Sequence, residues 1–491
     1  MIQKSPTEMQ AARVHNERNP ILMFPVEVTC EIFAFARLPN SNLDKVEDDY
    51  DSDDGNISPK ALARRKEKSK FRAEVVVTHV CQRWRSIALD LPKLWTTYYY
   101  GHRTRYLGSG CLDTLEIYAK RSTDLPLSFW FDFRGDPGNP DHELLIALSV
   151  RYVARWKLFA IYGYDLLPME PIYDLRNTSA PLLECLTIAP GANEDMMATH
   201  VVPRVFKGGV PKLTYLMLDG RAIRCALPPV SNITILRIEK DAWDEDLSDS
   251  DEDDPPEKFG QSFFLELLSI PCLTQLSLSG DFIEPFGRAP KIDMPNLERL
   301  RVGKFDGLWD LLPSIRAPRL ETLIVCKCAL RVRGTPIDEE YAFPALRKLY
   351  VIGTSFKRPI AHAFTQLTKE ATDVVITDCR HSTSLLQMIL SGCYASEVWP
   401  GMKNLSCNIK GFAKNCDPNT EFAIFRRRPS FTLHLPFALF KGFHREVNEQ
   451  GQLLPSFVKL RSKWKLDEPF WPKDMELGAN CDFGKGDGFS L

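Results

Sequence analysis

The side chains able to do chemistry are few and poorly grouped. Cys326 and Cys328 are the one close cysteine pair, and two cysteines one residue apart on a strand point the same way without forming a zinc knuckle. Cys379, His381 and Cys393 place thiols and an imidazole near one another, but at a spacing that matches no zinc pattern. Gly-x-x-x-x-Gly-Lys, Gly-x-Ser-x-Gly and His-Glu-x-x-His are all missing, so phosphate-loop, serine-elbow and zincin chemistry have no footing. Gly135-Asp136-Pro137-Gly138-Asn139-Pro140 is turn chemistry, and the basic tract Arg426 to Arg428 ends at Pro429 after three residues. No catalytic residue, metal ligand or cofactor is expected, and the reading is of a protein that binds rather than converts.

Bulk properties agree. The 13 cysteines are an odd, scattered set, which reads as reduced thiols of a cytoplasmic or nuclear protein. A net charge of -2 favours neither nucleic acid nor an anionic membrane as partner. No apolar run is long enough to span a bilayer, and residues 1–19 are a polar, flexible N-terminus without a signal-peptide core. At 491 residues the chain is too long for one compact core.

Two kinds of element must position whatever binds. Near the N-terminus, Pro25 opens a helix on which Val28, Ile32 and Phe35 fall at i, i+4 and i+7. A second amphipathic helix reads Val77, Val80, Trp84, Ile87 and Leu91, and Pro92 ends it ahead of Leu94 and Trp95. Between them, residues 40–71 carry an acidic and then a basic run without apolar periodicity, and are expected to be a disordered insertion. Loop-closure cost grows only logarithmically with length, so the two helices can still meet.

Farther on, Pro-x-Leu-x-x-Leu-x-apolar recurs, as in Pro181 to Ile188, Pro211 to Leu218, Pro271 to Leu278, Pro295 to Val302, Pro318 to Val325 and Pro344 to Val351. From Leu273 to Leu297 to Leu320 to Leu346 the intervals are 24, 23 and 26 residues, a repeat of roughly 20–29. The last two apolar residues of each copy point inward together from a strand. Tyr215, Arg237, Glu239, Arg299, Arg301, Lys348 and Tyr350 fall on the opposite face, the candidate face for a target. Stretches such as 263–268 and 384–390 read as short helices covering the strands' buried side. Leu112 to Trp130 and Leu144 to Ile161 each pair a helix with a strand and belong to the first units. An array over residues 110–421 is expected, broken by an acidic loop at 241–258 and followed by a C-terminal cap and tail over 422–491. Ser248, Ser250 and Ser52 sit in acidic contexts suited to acid-directed kinases, and phosphate there would extend the loops further.

Phe24-Pro25-Val26-Glu27-Val28 with Ile32-Phe33, then Val80-Cys81-Gln82-Arg83-Trp84-Arg85-Ser86-Ile87-Ala88, then Leu91-Pro92-Lys93-Leu94-Trp95, resembles the F-box. The variant is similar to F-boxes of mushroom-forming fungi. Phe24 replaces the usual leucine, and the 40–71 insertion replaces a short turn. The resemblance implies a small α-helical F-box over residues 20–96, and the repeats imply that an α/β leucine-rich-repeat-like solenoid with a curved parallel sheet follows it. The resemblance further implies a substrate-recognition adaptor of a Skp–cullin–F-box ubiquitin ligase, with a Skp-type adaptor as first partner and a cullin–RING ligase beyond it. Pro25, Ile32, Phe33, Val80, Trp84, Leu94 and Trp95 match the family's contact positions, and an exposed Trp95 is expected to meet the partner. A scaffold acting outside ubiquitination shares the same first contact.

Overall fold

A computed structural model describes residues 23–37, 73–101, 110–133, 139–163, 170–189, 202–220, 222–239, 260–280, 291–305, 308–330, 343–356, 358–377, 398–408, 432–436 and 458–461. Several expectations therefore lie outside the described residues: the 1–19, 40–71 and 241–258 segments with their serines, the 384–390 helix, the Cys379–His381–Cys393 set, Arg426 to Arg428, and the tail beyond 477. The chain forms two compact units, the first essentially Met1–Cys185 and the second essentially Leu186–Phe470.

In the first unit, helices α1 (Val26–Arg37), α2 (Ala73–Val80) and α3 (Gln82–Leu89) precede a short 3-10 turn, Pro92–Trp95. The single second helix expected over 77–91 is in fact two. Cys81 is extended (φ -157, ψ 167) and caps α3, its sulfur accepting from the Trp84 N–H at 3.4 Å. A sulfur acceptor at the N-cap satisfies a donor that a continuous helix would have satisfied with backbone.

Two residues after Trp95, strand β1 (Thr97–Tyr100) begins. The sheet therefore starts at Thr97, ahead of the array boundary at 110, because the closing Leu91-Pro92-Lys93-Leu94 turn (Leu94 N–H to Leu91 carbonyl, 3.1 Å) already feeds a strand. Helix α4 (Cys111–Arg121) leads to β2 (Leu127–Asp132), and α5 (Asp141–Val150) to β3 (Trp156–Tyr162), as the paired helix–strand pattern predicts. The strands run parallel in the order β1-β2-β3. Arg155 pins the end of α4, donating to the carbonyls of Ala119 and Leu125 and to the Ser122 hydroxyl at 2.7 Å. The Ala119 carbonyl is one of the acceptors a helix end leaves unpaired.

The second unit begins inside β4 (Cys185–Ala189) and continues with β5 (Tyr215–Leu218), β6 (Ile235–Glu239), helix α6 (Gln261–Leu268) and β7 (Gln275–Ser279). Then come β8 (Ile292–Asp293), β9 (Arg299–Gly303), β10 (Ile315–Arg316), β11 (Thr322–Cys326), β12 (Ala329–Leu330), β13 (Lys348–Ile352), β14 (Ser355–Phe356), helix α7 (Arg358–Leu367) and β15 (Asp373–Thr377). Last are β16 (Asn404–Asn408), β17 (Thr432–Pro436) and β18 (Val458–Arg461). The main sheet runs β4-β5-β6-β7-β9-β11-β13-β15-β16-β17-β18, while β8 pairs with β10 and β12 with β14. Strand β17 falls where the alternation from Phe431 to Leu435 predicts a final strand, and β18, which includes Lys459, adds one more beyond it.

The repeated proline has a local job. In Ile270-Pro271-Cys272-Leu273 the Leu273 N–H donates to the Ile270 carbonyl, and the same i to i+3 bond recurs at Leu297, Leu320, Leu346 and Met402. Proline thus holds the second position of a turn, where its fixed φ fits. The turn delivers one core side chain, and the strand delivers two more. Leu216, Leu236, Leu276, Leu300, Leu323, Leu349, Val374, Leu405 and Leu433 stand in register and are fully buried. Fully burying each contributes about 1.5–3 kcal/mol, which explains why so short a motif tolerates wide variation elsewhere.

A second regularity was not visible in the sequence template. Gly280, Lys304, Lys327 and Gly353 each follow a strand directly and all have positive φ (116, 48, 50 and 56). Each donates its N–H to the last residue of the neighbouring strand, for example Lys327 to the Ile352 carbonyl at 2.7 Å. No helix among the described residues is long and apolar enough to cross a membrane.

Candidate functional site

Two surfaces carry the residues singled out in the sequence, one in each unit. In the first, Phe33 of α1 meets Trp84 of α3 edge-to-face at 5.0 Å, and an Arg83 guanidinium N–H donates to the Phe24 carbonyl at 2.8 Å. Arg85 donates to the Thr78 carbonyl at 2.8 Å, clipping α3 to α2. The residues of α1 turned inward are Thr29 and Phe33. The Val28, Ile32 and Phe35 stripe, which periodicity marks as the packing face, points the other way and is 42%, 38% and 73% exposed. On α2, Val77 is buried while Val75, Val76 and Val80 are exposed. Met23, Phe24 and Val26 add to this apolar surface.

The seven expected contact residues divide accordingly. Pro25, Ile32 and Val80 are exposed and Trp84 is half-buried, but Phe33, Leu94 and Trp95 are interior. Trp95 is the clearest correction: it is 2% exposed, and its indole N–H donates to the Ala88 carbonyl at 2.9 Å. It meets Tyr118 of α4 edge-to-face at 5.2 Å and lies under the Arg121 guanidinium at 4.4 Å. The Tyr118 hydroxyl in turn bonds the Glu74 carboxylate of α2. A side chain so enclosed holds the helices to the first strand unit and presents nothing to a partner. The helix α4 was expected from the Leu112 to Trp130 pattern, but its enclosure of Trp95 was not. Tyr118 and Arg121, three residues apart, were the available signal.

In the second unit, the strand residues expected to face away from the core do so, yet several are not solvated. Tyr215, Arg237 and Arg301 are each under a tenth exposed. Arg237 binds Glu239 through two bonds, Nε to Oε1 at 2.8 Å and Nη2 to Oε2 at 2.6 Å. Ser277 on the adjacent strand donates to the same Oε1 at 2.6 Å, and Arg301 reaches it at 3.2 Å. Burial opposes ionisation of Glu239, but the Arg237 and Arg301 guanidinia and the Arg237 and Ser277 hydrogen bonds outweigh it, holding the carboxyl down to about 2. Ser277 was missed by the sequence template, although register places it directly between Arg237 and Arg301. Farther along the face Lys348 is exposed, and Arg299 and Tyr350 are half-buried.

Among the described residues no group of three or more His, Cys, Asp or Glu could hold a metal ion. Burial and its hydrogen bond to Asp141 push the Cys111 thiol up to about 11, and burial pushes Cys185 up to about 12, so both are poor nucleophiles. No family model and no curated protein matches this chain.

Proposed function

We propose that the chain is a substrate-recruiting adaptor of a Skp–cullin–F-box type ubiquitin ligase, an F-box-like helical module joined to a leucine-rich-repeat-like solenoid. The F-box-like helices dock a Skp-type adaptor, and the solenoid's polar strand face holds a target protein. The observation that carries the first half is the unpartnered apolar surface of Val28, Ile32 and Phe35 on α1 with Val76 and Val80 on α2. Exposed apolar side chains grouped along helix faces mark a protein interface, and here they belong to the segment whose residues resemble the F-box. The target half draws on the outward strand residues, where Arg and Tyr, typical of recognition surfaces, concentrate.

The test is reconstituted binding of the full chain to a purified Skp-type adaptor. Ile32→Asp with Val80→Asp, both at exposed positions, is expected to abolish binding while leaving the far-ultraviolet spectrum unchanged. Equal binding by this variant and the parent would sink the reading. Co-purification of a cullin with the parent then separates ligation from a scaffold role.

A further inference from the structure

The exposed face of α1 is half apolar and half acidic. Val28, Ile32 and Phe35 form the stripe, and Glu27 and Glu31, both exposed, run beside it. At about 100° per residue, Glu31 stands about 40° around the helix from Phe35 and about 60° from Val28. The two carboxylates lie one turn apart, where like charges repel. Positions three and four residues away from either one hold Met23, Phe24, Val28, Cys30, Ala34 and Phe35, none of them basic. Among the described residues neither carboxylate forms an ion pair. Two arginines of α3 are turned to backbone instead, Arg83 to the Phe24 carbonyl and Arg85 to the Thr78 carbonyl.

The helix itself accounts for only one of the two. Glu27 sits in the first turn of α1, where a carboxylate complements the helix dipole. Glu31 sits in the second turn, beyond the reach of that effect, and its repulsion with Glu27 works against the free helix. Uncompensated like charges beside an exposed apolar stripe are what a partner of opposite charge neutralises on docking. A second copy of this chain does not fit, because a two-fold contact centred on α1 would bring the carboxylates of both copies together.

We infer that this face docks a Skp-type adaptor whose apolar groove is edged by lysine or arginine side chains, which meet Glu27 and Glu31. This rests on the adaptor reading, to which it adds the charge of the partner's rim. The apolar side chains supply the contact area, while exposed rim charges act mainly on the association rate and on its dependence on salt.

The experiment follows the full chain binding a purified Skp-type adaptor by surface plasmon resonance, from about 0.1 to about 1 M salt, over which the screening length falls from about 10 to about 3 Å. The parent's association rate is expected to fall at least roughly tenfold across that range. Glu27→Gln with Glu31→Gln is expected to associate severalfold more slowly at low salt and to lose most of the salt dependence, with dissociation little changed. Glu31→Gln alone, outside the first turn, is expected to act in the same direction, which separates the partner's charge from the helix dipole. Association that does not slow with salt, or an unchanged double variant, would overturn the proposal, while loss of binding in Ile32→Asp with Val80→Asp would still uphold docking by the apolar stripe. No binding by the parent would overturn docking and charged rim together. A dimer of the full chain that Ile32→Asp with Val80→Asp dissolves would give the face to a second copy and overturn the proposal as well.

Discussion

The indole of Trp95 donates its N–H to the Ala88 carbonyl at 2.9 Å, fastening the residue that ends the F-box-like motif to the helix that precedes it. Because Thr96 alone separates Trp95 from β1, the same side chain also fixes where the first strand begins. Trp95→Ala is expected to destabilise the first unit by about 3–5 kcal/mol through cavity formation and a lost acceptor contact. Ile32→Ala, at an exposed position, is expected to change stability by less than about 0.5 kcal/mol while weakening adaptor binding. Urea unfolding beside a pull-down distinguishes the two. Equal destabilisation by both would mean that the stripe on α1 is packed after all.

The break at Cys81 gives a sharper test of local structure. Were 73–89 one helix, Cys81→Ala would stabilise it, since alanine is the best helix former. With Cys81 extended and capping Trp84, Cys81→Ala is expected to cost about 0.5–2 kcal/mol, whereas Cys81→Ser, an ordinary N-cap, keeps or improves stability. Thermal unfolding of the pair settles the sign.

These residues show what the sequence could and could not convey. The buried rows of the sheet were legible, because a period of two with proline at a fixed offset survives in every copy from Pro271 to Val351. The helical stripe of Val28, Ile32 and Phe35 was legible as a stripe, but periodicity does not say whether a face is covered by the chain itself or left for a partner. Trp95 misled for the same reason, as its cover comes from α4, some 20 residues downstream. The ion cluster was half legible: alternation put Arg237, Glu239 and Arg301 on one face, while their mutual burial depends on register with Ser277, which no single strand encodes.

The Glu239 cluster makes stability depend on pH. Its carboxyl titrates near 2 when folded against an ordinary value of 4.5, so the folded state binds the proton less readily than the unfolded chain. The contribution is complete above about pH 4.5 and is lost as pH falls toward 2, amounting to no more than on the order of 3 kcal/mol. Glu239→Gln is expected to lose about 3–5 kcal/mol at neutral pH, because two buried guanidinia lose their shared counter-charge, and to show a flatter acid limb. A parent and variant with identical slopes between pH 4.5 and 2.5 would contradict the ionised state of the cluster.

The turn after each strand offers a stabilising substitution. Gly280 and Gly353 occupy the left-handed position without penalty, but Lys304 and Lys327 occupy it with a Cβ. Lys327 is exposed, so replacing it removes no packing. Lys327→Gly is expected to raise the stability of the second unit by about 0.5–1 kcal/mol, the relief of strain exceeding glycine's added freedom when unfolded. The corresponding change at Lys348, within a strand, is expected to destabilise, and comparing the two by differential scanning calorimetry isolates the turn from the residue type.

Gln275 holds a buried acceptor without a donor. Its unpaired, buried carbonyl oxygen costs about 1–3 kcal/mol relative to a satisfied or apolar group. Methionine has nearly the same length and no acceptor requiring a strong donor, so Gln275→Met is expected to raise the melting temperature of the ligand-free chain by a few degrees. A melting temperature unchanged or lowered by the substitution would mean that the Gln275 oxygen carries no penalty in the folded chain.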